Sequence, residues 1–360
     1  MTDMSANPKR WQHAPPGSSW GEFGPDDQRG RMNLVDARKV LQGVAEVKVG
    51  RTFCLSLPLD VPGGQSLNPR RRPPRRYSVL RDGQSQGQQG FCWSYHAEDP
   101  DLTDVVNDDV LLMSLQYSTQ WDSLAHVGSH FDADGDGVAE AVFYNGFRAG
   151  TDIRAAIEDP HAVADWARYP APEATALGIE RLAEHGAQGR GVLIDVAHHL
   201  GRERQAVGYE RLMRLLEADR IEIDPGDMVC LHTGFADTLL SMNRQPDLTR
   251  LHATGSGLDG HDARLLNWIT DSRLACLLAD NPAVELVVPK LMSPSPLRQP
   301  RLPLHEHCLF KHGIHLGELW YLTELAAWLR QHGRHHFLLT APPLRLPGAV
   351  GSPATPIATV

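Results

Sequence analysis

Short apolar runs alternate along this chain with longer segments of helical periodicity, and this alternation constrains the fold more than any other feature. The apolar runs are short enough for buried strands, whereas the longer segments have the spacing of amphipathic helices. We predict strands at 191–196, 228–233, 284–288 and 336–340, and helices at 175–185, 209–218, 262–279 and 319–331. Strands and helices that interleave in this way favour α/β architecture.

The N-terminal part of the chain has a different character. Residues 1–35 form an irregular entry rich in glycine and proline, before a predicted helix at 36–46 and a strand at 51–58. A long loop rich in Arg, Gln, Gly and Pro then extends to about residue 105; loops this long are often lids or oligomer contacts. We therefore divide the chain into residues 1–105, an extension and loop region that packs on the core, and residues 106–360, the main α/β domain; the two form one integrated unit.

The overall composition excludes several classes of protein. The net charge of −9 over 360 residues argues against a nucleic-acid-binding protein, which is usually basic. The five cysteines are odd in number and lack CxxC spacing, which predicts a reducing, cytoplasmic location. We expect neither a signal peptide, because Met1–Trp20 is polar, nor a membrane span, because no run of about 18 apolar residues occurs.

One basic run, Arg70–Arg76, lies within the long loop. We interpret it as a solvated surface loop. Contact with an acidic substrate or partner is the alternative.

The segment most suggestive of chemistry contains Gln116, Gln120, Asp122 and His126, which follow a predicted strand at 110–117. A carboxylate is a hard anionic ligand, an imidazole serves as ligand or general base, and amide oxygens bind hard cations more weakly. The spacing alone favours polar residues that cap a strand-to-helix turn slightly more than a site. Both interpretations stay open at this point.

Other motifs are incomplete or absent. Asp132, Asp134, Asp136 and Gly137 resemble the start of an EF-hand, but position 12 of that loop is Phe143 rather than Glu. We interpret this segment as an acidic loop that binds Ca²⁺ structurally or binds nothing. Neither Gly-x-Ser-x-Gly nor His-Glu-x-x-His occurs, which disfavours a serine hydrolase of the α/β-hydrolase type and a zincin.

The central segment resembles the motif of the metal-dependent cyclase family, which includes bacterial kynurenine formamidase and isatin hydrolase. That motif, His-x-Gly-Thr-His-x-Asp-x-Pro-x-His, agrees with this chain at Thr119, Asp122 and His126. Gln116 and Gln120 stand where the typical enzymes have two histidine ligands. Thr119-Gln-Trp-Asp-Ser-Leu-Ala-His126 and Tyr144-Asn-Gly146 are similar to a longer subgroup of the family.

The resemblance extends over nearly the whole chain, with matching segments in the same order. The matching segments are Ser19–Asp27, Gly30–Leu34, Arg190–Ala197, Gly226–Gly234, Asp280–Glu285, Gly313–Glu318 and Pro343–Ile357. The resemblance implies an α/β fold of the cyclase type (swivelling β/β/α-like), with a mixed central β-sheet or barrel flanked by helices.

The resemblance also implies an active site. His126 and Asp122 would be catalytic, and Asp122 would in addition bind the metal with Gln116, Gln120, Glu318 and a late histidine, His305 or alternatively His307. Substrate contacts would fall on Trp121, Tyr144 and Asn145. The implied cofactor is a divalent metal, zinc or manganese rather than magnesium.

The replacement of two histidines by Gln116 and Gln120 leaves three possibilities for the cofactor. Asp122, His126, His305 and Glu318 hold the ion while the glutamines contribute little; or the ion is a harder one, such as Mn²⁺ or Mg²⁺; or the site works without metal.

Several functions agree with these residues. The first is metal-dependent hydrolysis of a C–N amide or a cyclic acyl bond (lactam or lactone) in a small, planar molecule. The alternatives are a metal-free lyase or isomerase and a non-catalytic ligand-binding protein on the same fold. The resemblance further implies a homodimer or homotetramer, and no nucleic-acid or membrane partner is expected.

Overall fold

The fold centres on a mixed β-sheet with helices on both faces. A computed structural model describes residues 10–81, 90–155, 172–287 and 299–360. The strands are β1 Thr52–Cys54, β2 Arg75–Ser78, β3 Trp93–Ser94, β4 Val105–Val106, β5 Asp109–Leu112, β6 Gln120–Asp122, β7 Ser129–Phe131, β8 Glu140–Val142, β9 Ile153–Arg154, β10 Glu173–Ala174, β11 Gln188–Ile194, β12 Ala206–Val207, β13 Met228–Leu231, β14 Gly257–Leu258, β15 Cys276–Ala279, β16 His315–Glu318, β17 His336–Thr340, β18 Gly351–Pro353 and β19 Ile357–Thr359.

The helices complete the architecture. They are α1 Ala37–Val44, α2 Glu180–His185, α3 Val196–Leu200, α4 Tyr209–Asp219, α5 Phe235–Ser241, α6 Leu248–His252, α7 Ala263–Ser272, α8 Pro303–His305 and α9 Thr323–Gln331. A π-helical segment, Glu306–Lys311, continues α8. Within the described residues, no helix is long and apolar enough to cross a membrane.

The main sheet has the strand order β1-β19-β17-β11-β13-β15-β16-β6-β18. Strands β11, β13, β15 and β16 are mutually parallel, and the strands on either side of this group pair antiparallel. The predicted mixed sheet flanked by helices is therefore confirmed. Strand β1 comes from the N-terminal region and pairs with β19, so that region contributes an edge of the same sheet.

Two hydrophobic cores lie on opposite faces of the sheet because the side chains of each strand alternate between faces. On β13, Val229 and Leu231 face one core, which α4 and α7 cover, whereas Met228 and Cys230 face the other, which α2 and α9 cover. We call the first of these faces the site face, because Asp122 lies on it.

Several predicted elements differ from the observed ones. The prediction of one helix at 262–279 is wrong in its second half: Arg273 adopts a left-handed backbone (φ 54°) that ends α7, and the next apolar residues pair as β15 between β13 and β16. The predicted helix at 319–331 begins only at Thr323. The strand at 284–288 is reduced to one bridge between Glu285 and Leu258, and Val288 lies outside the described residues.

The segments near residues 110 and 150 also depart from prediction. The strand at 110–117 ends at Leu112 and pairs with β2, away from the main sheet. The predicted short helix near Thr151–Ile157 is a turn followed by β9 in its described part. The helices at 175–185 and 36–46 are shorter than predicted, whereas β17 has the predicted bounds.

The long N-terminal loop and the residues after it, up to Leu112, contain two small two-stranded sheets, β2–β5 and β3–β4, which we together call the arm (residues 75–81 and 90–112). Eight of the exposed large apolar side chains belong to it: Tyr77, Val79, Phe91, Leu102, Val105, Val110, Leu111 and Leu112. An isolated two-stranded ribbon is marginally stable in water, and a contiguous apolar patch commonly marks an interface.

The charges around the arm indicate which partner would cover it. Exposed arginines lie at positions 70, 72, 75 and 76, and exposed aspartates at positions 99, 101, 104, 108 and 109. Arg76 and Asp109 lie 3.6 Å apart within the arm, and the other arginines and aspartates allow charge pairs with a second copy of the same surface related by a two-fold axis. We therefore propose that the expected homo-oligomer forms through the arm of a second copy of this chain.

We predict that Val110→Asp, which puts a charge opposite Tyr77 in the apolar patch, converts the oligomer to monomer in light scattering coupled to size exclusion. Val138→Asp, at an even more exposed apolar position outside the arm, serves as the control and should leave the mass unchanged. A monomeric parent protein, or an oligomer that survives Val110→Asp, would contradict this assignment.

Candidate active site

Two neighbouring strands place three polar side chains on the site face. In the antiparallel pair of β6 and β16, Gln120 lies opposite Glu318 and Asp122 lies opposite Leu316. Residues directly opposite each other project to the same face of a sheet. Gln120, Asp122 and Glu318 therefore converge on one small volume, and all three are buried.

A histidine from the segment before the π-helix completes this cluster. His305 Nδ1 lies 2.6 Å from Glu285 Oε1, and its Nε2 lies 3.4 Å from Glu318 Oε1. Glu285 also accepts the backbone N–H groups of Leu304 and His305, which fixes the start of α8. His305 is thus the late histidine at the site, whereas His307 points to the hydroxyl of Thr270, 3.0 Å away.

Gln116 and His126 form the outer part of the cluster. The Gln116 amide nitrogen lies 2.6 Å from Asp122 Oδ1 and 3.0 Å from His126 Nδ1. Gly351, opposite Asp122 on β18, makes room for this amide, because a Cβ at that position would lie 2.6 Å from Gln116 Cγ. His126 keeps 23% of its side chain exposed, whereas the side chains of Asp122, His305 and Glu318 are at most 4% exposed.

The electrostatics of the cluster follow from its burial. Burial, and then the nearby Asp122 charge, raises the pKa of Glu318. Burial opposes protonation of His305, but the hydrogen bond to Glu285 and the proximity of Glu318 outweigh it and raise the pKa of His305 to about 10. Carboxylates this close together in a buried site repel each other unless a cation neutralises them.

The residues fit a divalent metal ion. Asp122, His305 and Glu318 each offer a ligand atom, and these atoms all lie within 4.8 Å of one another. The buried Asp122 Oδ2 has no hydrogen-bond partner in the described residues, although buried carboxylate oxygens are normally satisfied. Two carboxylates and an imidazole form a ligand set that zinc and manganese accept.

The two glutamines are arranged differently from the histidines that they replace. The Gln120 amide nitrogen donates to Glu318 Oε2 at 2.9 Å, and its oxygen accepts from Arg71 Nη1 at 3.2 Å. Amide oxygen and nitrogen positions are assigned from the hydrogen-bond network, so a rotation of the amide by 180° would turn the oxygen of either glutamine towards an ion.

The residues predicted to contact substrate lie elsewhere. Trp121 is fully buried on the opposite face of β6, where its indole N–H donates to the Ala341 carbonyl. Tyr144 and Asn145 are also fully buried, and Asn145 bonds to the backbone of Gly21, Gly24 and Asp27. Their contacts in this structure are structural: Trp121 belongs to a core, and the other two hold the N-terminal segment.

Three residues at the site were not assigned from the sequence. Glu285 lies in a segment noted for resemblance alone, and Gly351 was likewise only part of a matching tail. Arg71 belongs to the basic run that we interpreted as surface, but its side chain is 21% exposed and reaches Gln120 and Glu318. Only the three-dimensional arrangement shows these contacts.

The acidic loop lies apart from this site. Asp132, Asp134 and Asp136 could together hold an ion, but they accept backbone N–H groups of their own loop, and Asp134 also pairs with Arg148. We assign no function to this loop.

Comparison with known proteins shows the family of this chain. Residues 55–286 match the Cyclase family model, described as "Putative cyclase". A solved structure of a novel cyclase is 30% identical, with a TM-score of 0.71 and an alignment covering 95% of this chain and 97% of that one. No curated protein matches the chain at a significant level.

Two isatin hydrolase A structures share the fold at lower identity. The protein from Labrenzia aggregata, bound to benzyl benzoate, is 14% identical with a TM-score of 0.54, covering 90% of this chain and 98% of that chain. The protein from Ralstonia solanacearum is 13% identical with a TM-score of 0.51, covering 86% and 91%. The chain belongs to the cyclase family, as its resemblance predicted.

The contact between Glu285 and His305 gives a prediction about positioning. Glu285→Gln keeps the shape of the side chain but removes the charge that orients the imidazole through Nδ1. Partners of this kind, behind a metal ligand, contribute roughly 10–100-fold in metal affinity. We expect calorimetric titration with Mn²⁺ to show a loss of this size; unchanged affinity would mean that Glu285 does not position His305 for an ion.

Proposed function

We propose that this protein is a metal-dependent hydrolase that opens a C–N amide or cyclic acyl bond in a small molecule. The single observation that supports this most is the buried convergence of Asp122, His305 and Glu318, with an unpartnered Asp122 Oδ2, beside the accessible His126. Proteins named isatin hydrolase share the fold, which favours hydrolysis as the first reaction to test. The planar shape inferred for the substrate loses support because Trp121 and Tyr144 are fully buried.

Each residue of the cluster has a role in the proposed metal site. Asp122, His305 and Glu318 would hold a zinc or manganese ion, with the amide oxygens of Gln116 and Gln120 as weaker ligands after rotation. When bound, such an ion lowers the pKa of water and polarises a carbonyl group.

His126 is suited to move the proton in this reaction. Its imidazole lies at the solvent-exposed edge of the cluster, with Nε2 3.9 Å from Asp122 Oδ1. Gln116 contacts both Asp122 and His126 and so fixes the distance between the ring and the carboxylate. His126 would accept a proton from the attacking water and donate it to the leaving nitrogen or oxygen.

The test combines metal analysis with turnover of a panel of amides, lactams and lactones. Protein loaded with Mn²⁺ or Zn²⁺ should hydrolyse a member of the panel and incorporate ¹⁸O from labelled water. His126→Ala should retain the ion but lose about 10²–10⁴-fold in turnover. Ion retention with full turnover in His126→Ala would remove His126 from the mechanism.

A metal-free lyase or isomerase is the second candidate, and one observation favours it. The amide nitrogens of Gln116 and Gln120 already donate to Asp122 Oδ1 and Glu318 Oε2, so one oxygen of each carboxylate has a partner without an ion. Full activity in a preparation stripped of metal, with no ¹⁸O incorporated in the product, would establish this candidate and exclude the hydrolase.

A further inference from the structure

We propose that Arg71 competes with a divalent cation for the Glu318 carboxylate, so that this guanidinium sets how tightly the site holds an ion. The inference rests on the proposed metal site and adds a residue that acts against ion binding. It assigns a role to the one side chain of the basic run that is turned inwards among the described residues.

The contacts of Arg71 place a fixed positive charge at the cluster. Its Nη1 lies 3.2 Å from Gln120 Oε1 and 3.8 Å from Glu318 Oε2, and the Glu318 side chain is only 4% exposed. Two positive charges that share one buried carboxylate repel each other, because the interior screens them far less than water does. Binding of an ion through Glu318 therefore opposes the position of Arg71.

The orientation of Gln120 gives a second reason for the competition. Because Arg71 donates to the Gln120 oxygen, the amide nitrogen faces Glu318. An ion requires the opposite orientation, with the amide oxygen turned towards it. Arg71 thus holds one potential ligand in the conformation that does not bind metal.

The backbone around Arg71 is anchored, so the side chain is directed to this place. The Arg72 N–H donates to Ser114 Oγ at 2.7 Å, and the Tyr117 hydroxyl donates to the Gly64 carbonyl at 2.7 Å. These bonds tie the loop to the segment that leads into Gln116. The long arginine side chain can still turn outwards, since it has many rotamers and a solvent-exposed side.

The experiment measures ion affinity in the full chain by calorimetric titration with Mn²⁺ after removal of bound metals. Arg71→Gln should lower the dissociation constant at least about tenfold relative to the parent protein. Arg71→Lys keeps the charge and should stay within a few-fold of the parent. Arg72→Gln removes a neighbouring, exposed arginine and should leave the affinity unchanged.

The outcomes separate this inference from the proposed function. If the parent binds Mn²⁺ and Arg71→Gln binds it no more tightly, the competition is refuted while the metal site stands. If Arg72→Gln tightens binding equally, a general field of the loop replaces the specific contact, and the inference is again refuted. If neither the parent protein nor any of the variants binds Mn²⁺ or Zn²⁺, both the metal site and the competition are refuted. Circular dichroism and thermal unfolding without metal verify that each variant is folded.

Discussion

Asp122→Asn is expected to abolish ion binding and turnover while the protein stays folded. Asp122 is one of the three ligands of the proposed metal site, and its Oδ2 is buried without a hydrogen-bond partner in the described residues. An asparagine has the same shape but is neutral, and it places a donor or a weak acceptor where an anionic oxygen stood. We expect Mn²⁺ affinity to fall by roughly 10³-fold or more, since an anionic ligand and a charge are lost together.

Asp122→Asn should keep or increase the stability of the metal-free protein, although it loses ion binding and turnover. In the parent protein the Asp122 charge contributes to raising the pKa of Glu318, which reflects repulsion between two buried carboxylates. The neutral side chain removes that repulsion, so the metal-free variant should unfold at an equal or higher temperature. Lower stability with unchanged ion affinity would show that Asp122 is a structural residue.

Asp195→Asn provides a matched control for that experiment. Asp195 is also a buried carboxylate at the end of a sheet strand, but its partners are His232, at 2.7 Å, and Arg330. Burial opposes ionisation of Asp195, yet the hydrogen bond to His232 leads the interactions that lower its pKa. The neutral variant should therefore lose stability, whereas its ion affinity should match that of the parent protein.

Local sequence patterns predicted the fold correctly where the conformation of an element depends mainly on its own residues. The runs at 228–233 and 336–340 are short, apolar and bounded by turn residues, and they are strands in the main sheet. The helix at 262–279 was predicted too long because the apolar run at residues 276–279 fits a buried helix as well as a buried strand. Pairing with two neighbouring strands decides their conformation, and pairing is a property of the whole sheet.

Some residues of the candidate site could be predicted from the sequence, and others could not. The positions of Asp122, His305 and Glu318 came from resemblance, and the structure brings these three together. Trp121 illustrates what simple strand geometry adds: because side chains alternate along β6, a residue between Gln120 and Asp122 must face the opposite side. Arg71 and Glu285 are distant in sequence from the motif, and no local pattern indicates that their side chains reach it.

Acid should destabilise this protein through buried, neutral histidines, of which His312 is the clearest case. Its side chain is buried between His307 and Thr270, with ring centroids of the two histidines 4.5 Å apart. Burial, followed by the neighbouring His307, Arg31 and Lys311, lowers the pKa of His312 to about 3. An exposed histidine in the unfolded chain has a pKa near ~6.5.

The sign of the pH dependence follows from which state binds the proton. Below about pH 6.5 the unfolded chain takes up a proton at His312 that the folded protein cannot accept until the pH approaches about 3. The contribution of His312 to stability is therefore complete above about pH 6.5 and is lost as the pH falls, at up to ~1.4 kcal/mol per pH unit.

His312→Gln should make the pH dependence of the unfolding free energy shallower by up to about 1.4 kcal/mol per unit between about pH 6 and 4. Above pH 6.5 the unfolding free energies of the variant and the parent, measured by urea unfolding, should depend on pH in the same way.

His232 has the opposite pH dependence, because its hydrogen bond to Asp195 outweighs burial and raises its pKa. It is present in both proteins, so its contribution cancels in the comparison. His252→Gln, at an exposed position, is the control and should retain the parent slope. Identical slopes for His312→Gln and the parent would mean that His312 binds its proton equally well in the folded and unfolded states, which its burial makes unfavourable.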